Sequence, residues 1–305
     1  MRVVVTGATG FIAKALCEHL HNDYEIIALS RNAARAQQSL GQLASVVQWD
    51  GRTPAGWVAR ADGALAIINL AGENIASGRW TKSKKHRILQ SRLDAANAIA
   101  EAVRQLSNKP KVIIQASATG YYGSRQDEQL DETSPPGQGF LARVCRSAES
   151  LANEIESLGT RFVAIRTGVV LGPRGGALDK FKKPFPFYLG GYLGTGKQWL
   201  SWISLDDEVA AIKFLMENEH LHGVFNLTAP QPVTMKQFSK ILGKALRRPA
   251  WLPVPGLFVR LALGEMAKML LSGQRVLPKR LLESGFEFEH ENLESALNAI
   301  MVEGE

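Results

Sequence analysis

Short apolar runs alternate with longer amphipathic stretches from residue 2 to about residue 170. The runs at 2–6, 24–29, 44–48, 64–69, 110–116 and 161–167 are rich in Val, Ile or Ala. Unbroken apolar strands of this kind suit a parallel sheet covered on both faces. Stretches 10–21, 83–106 and 139–158 place apolar residues at helical spacing. The alternation predicts an α/β fold, a doubly wound parallel sheet joined by right-handed crossovers.

Beyond about residue 172 the pattern changes. Gly172-Pro173-Arg174-Gly175-Gly176 reads as a loop, and 184–201 is rich in Pro, Gly and aromatics. Val224–Leu227 reads as one more strand, and Thr234–Leu246, Leu257–Leu271 and Leu293–Met301 as helices. Thr234 with Gln237 three residues on predicts a capping box. Residues 1–171, with 203–227 returning to them, are expected to form the main unit. Residues 172–202 and 228–305 are expected to form a smaller, interleaved C-terminal lobe on the substrate side.

The first strand, around Val3-Val4-Val5, runs straight into Thr6-Gly7-Ala8-Thr9-Gly10-Phe11-Ile12-Ala13 and then a helix. Gly7 allows a tight turn, Gly10 lets backbone approach a phosphate, and Ala13 is small enough for helix-on-sheet packing. Strand, glycine turn and helix N-terminus together suit a dinucleotide pyrophosphate, because free N–H groups and the helix dipole both favour an anion. The main unit is therefore read as Rossmann-type. Its cofactor is expected on the turn Gly7, Thr9, Gly10, Phe11 and Ile12. The Leu70-Ala71-Gly72, Ser117 and Arg166 strand ends should converge on the same crevice.

Four further segments resemble short-chain dehydrogenase/reductases of the extended type: Asn69-Leu70-Ala71-Gly72, Ser117-Ala118-Thr119-Gly120-Tyr121-Tyr122-Gly123, Arg166-Thr167-Gly168-Val169-Val170-Leu171-Gly172-Pro173 and Trp202-Ile203-Ser204-Leu205-Asp206-Asp207. Leu70-Ala71-Gly72-Glu73-Asn74-Ile75 and Val276-Leu277-Pro278-Lys279-Arg280 are similar to the atypical subgroup called epimerase family proteins, or nucleoside-diphosphate-sugar epimerase-like. The resemblance spans almost the whole chain. It implies a nicotinamide cofactor, with Asp50 as the adenine-side acid and Arg92 as a phosphate or ribose contact.

The second strand ends Leu29-Ser30-Arg31, without the Asp or Glu that usually accepts from the adenosine ribose of NAD. A guanidinium clamps a 2′-phosphate where a carboxylate repels it, so NADP(H) is the expected cofactor, with Ser30 and Arg31 on the phosphate and Arg35 one helical turn on. The competing reading of Arg31 is a surface side chain.

The family's acid–base pair, Tyr with Lys four residues on, is missing. None of the five tyrosines has a lysine at that spacing, and the resemblance puts Leu141 and Cys145 in the two slots. Ser117, Tyr121 and Tyr122 remain as catalytic candidates, the tyrosines being alternatively loop packing. Two functions follow. One is an NADP(H)-dependent oxidoreductase or epimerase on a small carbonyl or sugar-nucleotide-like substrate. The other is a non-catalytic NADP(H)-binding redox sensor or regulatory protein.

Composition narrows the partners. With 305 residues, 45% hydrophobic and 21% charged, the chain has the balance of an ordinary globular protein. No apolar run approaches the ~18 residues of a span, so no membrane partner is expected. The net charge of +7 is scattered apart from one cluster, Lys82, Lys84, Lys85, His86 and Arg87. No nucleic acid is expected. Lys180, Lys182, Lys183 and Lys197 stand near glycine-rich loops, where they face either a phosphorylated small-molecule substrate or solvent. The histidine pairs 19/21 and 220/222 do not share a helix face, so no metal site is expected. Two cysteines, Cys17 and Cys145, and a strand at the N-terminus in place of a signal peptide suggest a reducing, cytoplasmic setting.

Overall fold

The structure, a computed structural model, describes residues 1–304. Seven strands form one all-parallel sheet: β1 (Arg2–Thr6), β2 (Glu25–Ser30), β3 (Ser45–Gln48), β4 (Ala66–Asn69), β5 (Val112–Ala118), β6 (Arg161–Thr167) and β7 (Gly223–Leu227). Their order is β7-β6-β5-β4-β1-β2-β3. The connection reverses direction between β1 and β4, which opens a crevice at their carboxyl ends.

Helices cover both faces: α1 (Phe11–Leu20), α2 (Ala33–Leu40), α3 (Lys82–Gln105), α4 (Phe140–Glu149), α5 (Ala152–Ser157) and α6 (Leu205–Glu217). β1 shows why its run is apolar throughout. Val3 and Val5 belong to the layer that holds Leu16 of α1 and Ile212 of α6. Val4 points the other way, into the layer with Ala95 and Ile99 of α3 and with Trp57. Each fully buried Val or Leu contributes roughly 1.5–3 kcal/mol by leaving water.

The C-terminal part adds α7 (Met235–Ala245), α8 (Gly256–Leu263) and α9 (Leu293–Gly304). A separate apolar cluster of Phe185, Trp202, Phe238, Leu242 and Leu297 joins α7 and α9 to the 178–202 segment. Thr234 caps α7 in a capping box with Gln237. Short parallel strand pairs tie later segments to earlier ones, Gln129–Leu130 with Arg275–Val276 and Val169–Leu171 with Trp202–Ser204.

Two expected helices are broken. The 139–158 stretch splits into α4 and α5, where Ser150 Oγ donates to the Ser147 carbonyl (2.9 Å) in place of a helical continuation. The 257–271 stretch stops α8 at Gly264, in left-handed backbone (φ 61°). Helices α2 and α6 are not among the expected elements, although Asn32 and Ser204 cap them by accepting from the N–H groups of Arg35 and Asp207.

Candidate functional site

The crevice over β1 and β4 is a cleft of about 640 Å³. Gly7, Thr9 and Gly10 form its floor beside Leu70, Ala71 and Gly72, with Ser30, Arg31, Arg35 and Asp50 at the far end. Gly7 is in left-handed backbone (φ 66°), and a Cβ there would lie 2.8 Å from the Leu70 carbonyl oxygen. Only glycine meets both demands. Gly10 N donates to Gly7 O (2.8 Å) and Gly10 is the N-cap of α1, with no side-chain cap and no acidic residue in the first turn. The head of α1 therefore offers unsatisfied N–H groups to an anion.

A buried polar chain holds this floor. Thr6 Oγ1 donates to Asn69 Oδ1 (2.6 Å) and accepts from the N–H groups of Leu70 and Ala71 (both 3.1 Å). Asn69 Nδ2 donates to Gln115 Oε1 (2.8 Å). These three residues set the height of the 70–72 loop over Gly7. In the sequence Thr6 and Gln115 stand out only as polar positions inside apolar strands.

At the far end, Arg31 and Arg35 are exposed and enter no ion pair among the described residues. Asp50 closes that end. Against a desolvation cost that acts upward, the N–H groups of Thr53 and Arg52 and the Thr53 hydroxyl hold its carboxyl below the usual range. The basic cluster on α3 divides: His86 and Arg87 line the cleft. Lys84 is buried on Glu73 (2.6 Å), and that contact holds the Glu73 carboxyl below its ordinary value.

Two side chains expected on the cofactor, Arg92 and Arg166, have other partners. Arg92 does not reach the cleft. Its guanidinium lies beneath Gly72, 2.9 Å from where a Cβ would be, and donates to the carbonyls of Ile88 (2.9 Å) and Glu73 (3.3 Å). It supports the loop. Phe11 and Ile12 present their backbone at the head of α1, while the Phe11 ring packs on the Gly172–Gly176 loop and the Ile12 side chain on the core. Arg166 is committed elsewhere. Its guanidinium is forked on Glu149 (3.0 and 2.8 Å), donates to Tyr122 Oη (3.0 Å) and lies 3.3 Å from the Tyr121 ring centroid.

The same network rearranges the catalytic candidates. Tyr122 is fully buried, and its hydroxyl donates to Asn226 Oδ1 (2.7 Å) while accepting from Arg166. Burial pushes its phenol up to about 12. Tyr122 is a structural residue and not a proton donor to substrate. Ser117 and Tyr121 remain partly exposed at the end of β5. Ser117 Oγ donates to Glu149 Oε1 (2.6 Å). Glu149, the last residue of α4, thereby joins the site with no signal of its own in the sequence. A carboxylate at a helix end looks like any surface glutamate until β6 brings Arg166 to it. Leu141 and Cys145 do face this region, both within 4 Å of a Cβ placed on Gly120. The Cys145 thiol donates to the Ala118 carbonyl, and burial pushes it up to about 11.

Next to Arg166, Thr167 Oγ1 donates to Glu208 Oε1 (2.8 Å), and Glu208 Oε2 is buried with no partner. Burial raises this carboxyl from 4.5 to about 8. A raised acid favours the folded state fully below its unfolded value and loses that contribution as pH rises through the folded one. Wild-type stability should therefore fall relative to Glu208→Gln between pH 5 and pH 9. Parallel pH profiles from denaturant titration would rule out a neutral Glu208.

The model of the "NAD dependent epimerase/dehydratase family" matches residues 3–228, and that of "Domain of unknown function (DUF1731)" matches residues 254–300. The chain is 39% identical over 307 residues to epimerase family protein YfhF of Bacillus subtilis, covering 99% of both chains. It is 39% identical to the chloroplastic epimerase family protein SDR39U1 homolog of Arabidopsis thaliana, over 99% of this chain and 87% of that one. The crystal structure of human epimerase family protein SDR39U1 (isoform 2) with NADPH superposes with a TM-score of 0.86, at 32% identity and 99% coverage of both chains.

Proposed function

The chain belongs to the NAD-dependent epimerase/dehydratase family, and from that premise we propose that it binds NADP(H) in the 640 Å³ cleft and acts on a small carbonyl or sugar-nucleotide-like substrate. The observation that carries the cofactor choice is the pair of unpaired guanidiniums, Arg31 and Arg35, at the end of β2. The residues fit the group. The Gly7–Gly10 turn and the head of α1 receive the pyrophosphate, Ser30, Arg31 and Arg35 the 2′-phosphate, and Asp50 the adenosine end. NADP(H) supplies a hydride donor or acceptor when bound. The relative with NADPH points the same way.

Proton transfer is assigned to Ser117, Glu149 and Tyr121. Where a substrate hydroxyl is oxidised, Ser117 takes its proton as its own passes along the 2.6 Å hydrogen bond to Glu149, and where NADPH reduces a carbonyl the same two transfers run in reverse. Tyr121 is the remaining partly exposed phenol. A second reading, an NADP(H)-binding sensor without turnover, is favoured by one observation. At the positions that face the end of β5, Leu141 has no proton to give and the Cys145 thiol is buried on the Ala118 carbonyl, so neither supplies the family's acid–base pair.

NADPH should bind more tightly than NADH. At about 100 times the dissociation constant it adds ~2.7 kcal/mol of stability, a melting shift of several degrees. An equal or larger shift with NADH would refute the assignment. Arg31→Ala should weaken NADPH by roughly ten- to a hundredfold, one charge-assisted contact being worth ~1.5–3 kcal/mol, and leave NADH nearly unchanged. Parallel losses in calorimetric titrations would place Arg31 on some other part of the cofactor.

A further inference from the structure

The lobe carries an exposed apolar surface set in unbalanced positive charge. Residues 180–205 contain four lysines and no Asp or Glu, and residues 220–264 contain six Lys or Arg and no Asp or Glu. These ten cations exceed the +7 of the entire chain, so the remainder is net negative. The two segments meet in space. Leu252 N donates to Gly190 O (3.1 Å), Val254 N to Tyr192 O (2.8 Å) and Gly194 N to Val254 O (2.9 Å). The Arg248 guanidinium lies 5.1 Å from the Tyr188 ring centroid.

On this surface Phe187, Tyr188, Trp251, Leu257, Phe258 and Leu261 are each between 57% and 74% exposed. Leu257, Phe258 and Leu261 share the outer side of α8, while Val259 turns inward. Around them Lys183, Arg247, Arg248 and Arg260 are exposed and enter no ion pair among the described residues. The neighbouring Lys182 and Lys244 are already taken by Asp179 and Glu294.

We propose that this face docks on the surface of an anionic lipid bilayer. Side chains this exposed stand out from the protein and reach the headgroup–acyl boundary, where aromatic rings with one apolar and one polar end are at home. The flanking Lys and Arg then sit at the level of the phosphates. Single exposed hydrophobics need no explanation, but a group of large ones on two segments paired through 190–194 and 252–254 marks an interaction site. A second copy is a poor occupant. A two-fold contact would bring two cation-rich faces together, with Lys183, Arg247, Arg248 and Arg260 unpaired on each. No described helix is long and apolar enough to cross a membrane, so the contact lies on the surface. The expectation of no membrane partner rests on the missing span and does not cover this case.

Flotation of the full chain with vesicles tests the proposal. The chain should float with vesicles of equal parts phosphatidylcholine and phosphatidylglycerol, stay behind with phosphatidylcholine alone, and detach as salt is raised. Arg247→Ala with Arg248→Ala should lower partitioning about 25-fold, at about fivefold per cation. Trp251→Ser with Phe258→Ser should abolish it and leave the circular dichroism spectrum and NADPH binding unchanged. Lys111→Glu, at the opposite end of β5, should have little effect. The proposal is overturned by absence from the anionic vesicle fraction at low salt, or by binding that survives both double variants. An equal loss from Lys111→Glu would also overturn it. So would a concentration-dependent dimer, or a complex with an acidic protein, that Phe258→Ser breaks in a chain that never floats.

Discussion

Ser117→Ala is expected to reduce NADPH-dependent turnover by about 10²- to 10⁴-fold, the usual cost of losing a proton-transferring group. Ser117 is partly exposed at the end of β5, the strand next to β4, outside the lining of the 640 Å³ cleft, and its hydroxyl already hydrogen-bonds to a carboxylate held by Arg166. Tyr121→Phe should fall in the same range if the phenol meets the substrate. Cys145→Ala should leave turnover nearly intact, because that thiol is buried, donates to a backbone carbonyl and is pushed up to about 11. Steady-state rates over carbonyl and sugar-nucleotide panels decide the matter. A large loss from Cys145→Ala alone would overturn the assignment of roles. Tight NADPH binding with no turnover on any substrate would select the sensor reading.

Arg166→Met should destabilise the protein by about 3–5 kcal/mol, the cost of breaking a largely buried ion pair from one side. The Arg166 and Glu149 side chains are 3% and 12% exposed. Removing the guanidinium leaves the Glu149 carboxylate with only the Ser117 hydroxyl, and Tyr122 with only Asn226. Desolvation acts to lower the arginine's affinity for its proton, and the contact with Glu149 more than reverses that, so the charge is retained. NADPH affinity should change little at temperatures where the variant remains folded, because Arg166 is not among the cleft-lining residues. Urea unfolding and cofactor titration separate the two effects. Unchanged stability with lost NADPH binding would restore Arg166 to the cofactor site.

The sequence by itself determined the sheet and its phosphate turn. The apolar runs are continuous because both faces of β1 are covered, so local composition and tertiary burial carry the same information. Gly7 is legible for a similar reason. A backbone at φ 66° under the Leu70 carbonyl tolerates one residue type, and the turn is local in the chain. The place of Ser30 and Arg31 at the end of β2, in the cleft wall, is legible because a strand end fixes where the following side chains sit. Long-range pairing is not legible. Arg166 and Arg92 follow the pattern of cofactor contacts in sequence, yet one is forked on Glu149 from α4 and the other folds under Gly72. Tyr121 and Tyr122 are adjacent in the chain, but only the tertiary structure separates a partly exposed ring from one sealed against Asn226. A side chain's role here depends on which charge a distant element delivers to it. That charge is set by the packing of β6, β7 and α4, and no spacing within one segment encodes it.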